Sequence, residues 1–176
     1  HAISSFCNAG FDLLGGLNQG SIITAYGTDW VVSLTLMALI VIGGIGFIVW
    51  EDIRVHKRFR KLYIYSKLVL WTSGLLIVGG TVLFWVLEHS NTQTMERYGL
   101  GDQILLSAFQ SVTCRTAGFW TIVQSGLTDA SKAISILLMF IGGSGGSTAG
   151  GLKTVTFAIL ALAIVATARG RSHLAA

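Results

Sequence analysis

The sequence predicts an all-α membrane protein built from repeated helix–pore loop–helix units, with an interrupted last helix. Three observations carry this. The 176 residues are 52% hydrophobic and 11% charged, with a mean hydropathy of +0.70, whereas soluble domains carry about 25% charged residues. Apolar runs long enough to cross a bilayer alternate with polar and basic connections. An Ala-Gly-Phe triplet occurs twice, each time after a run too short to span.

Residues 1–11 hold the first copy: the short run His1 to Phe6, then Cys7-Asn8-Ala9-Gly10-Phe11. Residues 12–28 form a Gly-, Asn- and Ser-bearing connection. Val31 to Trp50 lacks formal charge and, at about 20 residues, can cross a hydrocarbon core of roughly 30 Å. Trp30 and Trp50 bracket it as interfacial anchors. Within it, Gly43-Gly44-Ile45-Gly46 permits close helix packing. Glu51 to Lys67 then carries Arg54, Lys57, Arg58, Arg60, Lys61 and Lys67, and short basic loops stay on the cytoplasmic side. This cluster reads first as a topology signal. Contact with anionic membrane lipid or a cytosolic partner is compatible with it, whereas two adjoining spans argue against nucleic acid.

Leu68 to Leu87 crosses back, with Trp71 and Trp85 near its ends. Glu88 to Gly101 has Arg97 as its only Lys or Arg and fits an external loop. The amphipathic run Asp102 to Thr113 dips in, followed by the second copy, Arg115-Thr116-Ala117-Gly118-Phe119. The last hydrophobic region starts near Ala130, and Arg169 and Arg171 close it inside. Every loop obeys the positive-inside rule in this one arrangement.

The two halves repeat. Aligning Gly10 with Gly118 pairs Ala9 with Ala117 and Phe11 with Phe119. Each copy is followed by an aspartate, Asp29 or Asp129, and then a helix with an internal Gly-Gly, Gly43-Gly44 or Gly142-Gly143. A glycine among small residues lets backbone carbonyls turn toward a narrow path, and rings of carbonyls can replace the hydration shell of potassium. Gly10 and Gly118 are therefore the candidate filter glycines. The organisation follows: residues 1–50 are one unit's pore loop and inner helix, 51–67 a cytoplasmic basic loop, and 68–168 a complete unit.

Within that unit, Ile141-Gly142-Gly143-Ser144-Gly145-Gly146-Ser147-Thr148-Ala149-Gly150-Gly151-Leu152-Lys153-Thr154 separates the apolar stretches Ala133 to Phe140 and Val155 to Ala166. Neither stretch spans alone, so the glycine segment belongs at membrane depth. Non-helical backbone is tolerated there only when buried in protein or lining a water-filled cavity. Lys153 at that depth is a functional candidate by default. Leu152 between Gly151 and Lys153 breaks the Gly-Lys-Thr of a phosphate loop. A flexible gate below the Ala-Gly-Phe copies is the preferred reading, and a passive packing kink the alternative.

Cys7 and Cys114 each lie near a copy; their spacing suits no metal site, and a disulfide between them is a lesser alternative to two free thiols. The histidine start, the missing signal pattern and the absence of a membrane helix before the first copy lead us to expect an internal piece of a longer protein. Arg115 beside the second copy is expected to pair with a carboxylate, since its charge would repel potassium. His1, His56, His89 and His173 are scattered, and no Ser/His/Asp, Cys/His or paired-carboxylate set suggests an enzyme.

The stretches 1–12, Ile42 to Phe47, Ser111 to Phe119 and Ile141 to Thr154 together resemble the Trk/Ktr/HKT superfamily of potassium transporters, and most closely its bacterial Ktr-type membrane subunit. The resemblance implies a potassium-channel-like fold of four such repeats around one path. This chain would supply the second pore loop through the third repeat. Filter carbonyls would come from Asn8, Ala9, Gly10 and Phe11 and from Thr116, Ala117, Gly118 and Phe119. The Gly142–Gly151 loop would be an intramembrane gate, with Lys153 at its end. The resemblance also implies homodimers in the bacterial plasma membrane, a cytosolic nucleotide-binding regulatory ring, and sodium dependence as a typical trait. A secondary transporter would place its helix breaks in inverted repeats, whereas these copies run the same way; a non-conducting assembly subunit is the other alternative.

Overall fold

The computed structural model describes residues 1–12 and 26–168. The connection 13–25, Arg169 and Arg171 lie outside the described residues. Seven helices are described: α1 (Ala2–Phe6), α2 (Trp30–Ile45), α3 (Phe47–His56), α4 (Ile64–Glu88), α5 (Leu100–Thr113), α6 (Asp129–Phe140) and α7 (Thr154–Ala168). Among the described residues no strand forms; one isolated parallel bridge pairs Ile141 with Leu152.

The 25 residues of α4 rise about 37 Å, enough to cross a bilayer. Trp71, Leu75, Val78 and Val82 stand exposed along it, as a lipid-facing helix requires. It begins earlier than the charge-free run because Lys67 turns to the helix edge and donates to the Arg60 carbonyl at 2.9 Å. Its C-terminal end is anchored by Glu88, fully buried. That carboxylate accepts from Asn91 Nδ2 (2.7 Å), Thr94 Oγ1 (2.6 Å), Thr128 N (2.9 Å) and Thr128 Oγ1 (2.8 Å). Thr128 is also the N-cap of α6, so one carboxylate ties the end of α4 to the start of α6. At the opposite end Asp52 accepts from His56 Nδ1 (2.7 Å) and Tyr63 N (3.0 Å), bracing the turn from α3 into α4.

The short helix α5 is wedged between α4 and α2. Gly80 of α4 allows the approach: a Cβ there would run into Ser111 Oγ, and that hydroxyl instead donates to the Ile77 carbonyl at 2.9 Å. On its other side α5 packs Leu105, Phe109 and Val112 against Leu36, Met37 and Ile40 of α2. Asp29 caps α2, accepting from Val31 N (2.9 Å) and Val32 N (3.1 Å).

One expectation is corrected. Val31 to Trp50 is not a continuous crossing: the axes of α2 and α3 turn by 92°. The hinge is Gly46, at φ 95° and ψ 148°, a backbone state open essentially to glycine alone.

Candidate functional site

The two Ala-Gly-Phe copies share a backbone. Asn8 and Thr116 have φ of 50° and 74°, and Gly10 and Gly118 have 70° and 83°, so left-handed residues recur at matched positions. Ala9 N bonds the Ser4 carbonyl (2.9 Å) and Ala117 N the Thr113 carbonyl (3.0 Å), folding each segment back on its short helix. The copies meet at their glycines: a Cβ on Gly10 would lie 2.6 Å from the Ala117 carbonyl oxygen and 3.0 Å from Gly118 Cα. Both space and φ therefore demand glycine at Gly10. Their surroundings differ. Phe119 is 3% exposed, in the core with Phe109, whereas Phe11 is 73% exposed.

Between α6 and α7 the glycine segment closes on itself. Gly142 N bonds the Leu152 carbonyl (3.0 Å), Leu152 N the Phe140 carbonyl (3.1 Å), and Gly143 N the Gly150 carbonyl (3.3 Å). Thr154 Oγ1 donates to the Gly142 carbonyl at 3.0 Å. Lys153 Nζ turns back onto the Ala149 carbonyl at 3.0 Å, so its charge caps the loop's returning limb. Within the tip, Ser147 Oγ donates to the Ser144 carbonyl at 2.7 Å.

That loop is docked into the α2–α3 break. Ser144 N donates to the Gly44 carbonyl (3.0 Å), Thr148 N to the Gly43 carbonyl (3.3 Å), and Phe47 N to the Gly146 carbonyl (3.1 Å); Ser144 Oγ also donates to the Ile45 carbonyl. A broken helix leaves orphan carbonyls and amides, costly in a bilayer, and here the loop satisfies them. Tyr65 of α4 donates to the Gly145 carbonyl at 3.2 Å from the third side. The loop also touches both copies: Asn8 Nδ2 donates to Thr148 Oγ1 (2.9 Å), and Gly150 N to Thr116 Oγ1 (3.2 Å). Hydropathy and motif reading missed these contacts. A signal was present in the sequence, the glycine cluster at Gly43–Gly46, but it read only as helix packing.

Arg115 departs from expectation. It is 8% exposed, and its Nη2 donates to Ser73 Oγ at 3.1 Å; among the described residues no carboxylate forms an ion pair with it. The guanidinium borders a small void lined by Ile40, Gly44, Ile77 and Gly143, behind the second copy. Cys7 and Cys114 are free thiols.

Residues 1–175 match the TrkH family of cation transport proteins, and the chain belongs to it; it is not an enzyme. It is 41% identical over 173 residues to the potassium/sodium uptake protein NtpJ of Enterococcus hirae, covering 98% of this chain and 37% of that protein. It is 40% identical over 175 residues to the Ktr system potassium uptake protein B of Vibrio alginolyticus, covering 98% and 37% respectively. Its fold is similar to that of the potassium transporter TrkH of Vibrio parahaemolyticus, with a TM-score of 0.71 at 20% identity, covering 98% of this chain and 36% of that one. The chain thus spans about 37% of the length of the curated relatives it matches.

Proposed function

We propose that this chain is part of a plasma-membrane potassium uptake protein, contributing two of the pore loops that build a carbonyl-lined selectivity filter. Asn8, Ala9, Gly10 and Phe11 and Thr116, Ala117, Gly118 and Phe119 supply its share of the carbonyls, with potassium, the transported ion, passing at Gly10 and Gly118. The loop Gly142–Gly151 is the barrier below, with Lys153 fixing its returning limb. The single observation that carries this reading is the pairing of the two turns at their glycines with one loop bonded against both. Relatives named for potassium uptake support the choice of ion. The remaining repeats of the full protein, a second copy of it, and a cytosolic nucleotide-binding regulatory subunit complete the assembly. The exposed basic stretch from Arg54 to Lys67 faces the cytosol and anionic lipid.

Passive packing is a second reading, favoured by the way the loop fills the α2–α3 break. The test separates them. Potassium uptake by the full-length protein is measured, with and without sodium, in cells lacking other uptake systems. Gly118→Ser should lower the preference for potassium over sodium, because a side chain at φ 83° displaces the carbonyls. Deleting Gly145 to Gly150 should raise flux if the loop is a barrier. Normal expression with flat or lower flux selects packing, and unchanged selectivity in Gly118→Ser rejects the filter.

A further inference from the structure

We propose that Thr148 is a positioning residue that locks the loop to the filter, so that moving the loop changes ion discrimination as well as flux. The inference rests on the reading of the two turns as filter. The Thr148 hydroxyl works in both directions, accepting from Asn8 Nδ2 at 2.9 Å and donating to the Phe6 carbonyl at 2.9 Å. It therefore grips the first turn on both sides of Cys7. Two residues along the loop, Gly150 N grips the second turn through Thr116 Oγ1 at 3.2 Å.

The gripped residues are matched. Asn8 and Thr116 each stand two positions before a filter glycine, and both are left-handed, at φ 50° and 74°. Asparagine tolerates that state, but for β-branched threonine it is a true outlier that persists only when its surroundings enforce it. The turn at these two residues sets where the next two carbonyls point, those of Ala9 and Gly10 and of Ala117 and Gly118. Withdrawing the loop removes a restraint from each left-handed residue at once, and the carbonyls relax from their set direction. The side chains at these positions, Asn in one copy and Thr in the other, are thus not interchangeable spacers: one donates to the loop and the other accepts from it.

The experiment uses the full-length protein in cells lacking other uptake systems, measuring potassium uptake and its inhibition by sodium. Thr148→Val keeps the shape and removes both bonds; it should lower the potassium-over-sodium preference at least 3-fold and raise flux. Thr148→Ser, which keeps the hydroxyl, should restore both. Asn8→Ala should shift selectivity likewise, and adding it to Thr148→Val should change little further, since the Asn8–Thr148 bond is already gone. Thr116→Val provides an independent reading should Thr148→Val express poorly. Wild-type selectivity in both valine variants overturns the inference, even if deletion of Gly145 to Gly150 raises flux. Flat flux on deletion, with selectivity lost in Thr148→Val, rejects the barrier and leaves the lock standing. Wild-type selectivity in Gly118→Ser removes the filter reading itself.

Discussion

Replacing Gly46 with alanine tests whether the bend and the loop are one device. At φ 95° and ψ 148° a side-chain-bearing residue is strained by about 1–3 kcal/mol. In a straightened helix alanine would instead be favoured over glycine by about 1 kcal/mol. Together these shift the balance between bent and straight by roughly 2–4 kcal/mol, or about 30- to 1000-fold. The added Cβ would also lie 2.7 Å from Ser144 Oγ and 2.8 Å from the Gly145 carbonyl oxygen, which pushes the same way. Straightening takes the Gly43, Gly44 and Ile45 carbonyls into helical bonds and away from Ser144 and Thr148. Basal potassium flux should therefore rise, and a cysteine introduced as Ser147→Cys in a Cys7→Ser background should label faster from the cytosolic side. Gly74→Ala is the control, since a methyl there meets open space. A well-expressed Gly46→Ala protein with wild-type flux and labelling would refute the reasoning.

Two further outcomes concern stability. Glu88→Gln replaces an acceptor of four bonds with a side chain that has only one accepting oxygen, and should cost about 2–4 kcal/mol, read as a lowered melting temperature of the purified protein; Asn91→Ala should cost less. Ser73→Ala deprives the buried Arg115 of its hydroxyl partner and should cost about 1–3 kcal/mol, while Thr72→Ala, whose hydroxyl only bonds back to Leu68 within α4, should change the melting temperature little.

Where the sequence succeeded, local physics was enough. A charge-free apolar run marks α4 whatever surrounds it, and six glycines within the ten residues between Ile141 and Leu152 end a helix in any context. The bend at Gly46 was hidden because Val31 to Trp50 is uniformly apolar, and hydropathy has no term for a partner loop far along the chain. For Asn8 and Thr116 the failure is of the same kind. Carbonyl coordination implies idle side chains, and only the fold brings Thr148 and Gly150 within bonding distance. Arg115 was assigned a carboxylate on general grounds of charge, but Ser73, facing it from α4, supplies the bond.

The pairing of the α2–α3 break with a loop 100 residues later also sets an order of assembly. A ribosome adding about 5–20 residues per second makes Ser144 roughly 5–20 s after Gly44. Until then the carbonyls of Gly43, Gly44 and Ile45 have no loop to bond, and a bilayer does not forgive orphan carbonyls. A continuous α2–α3 rod, about 40 Å long, would avoid that cost, and a tilt would accommodate its length. The loop-bonded elbow can therefore be completed only after the following unit has been made.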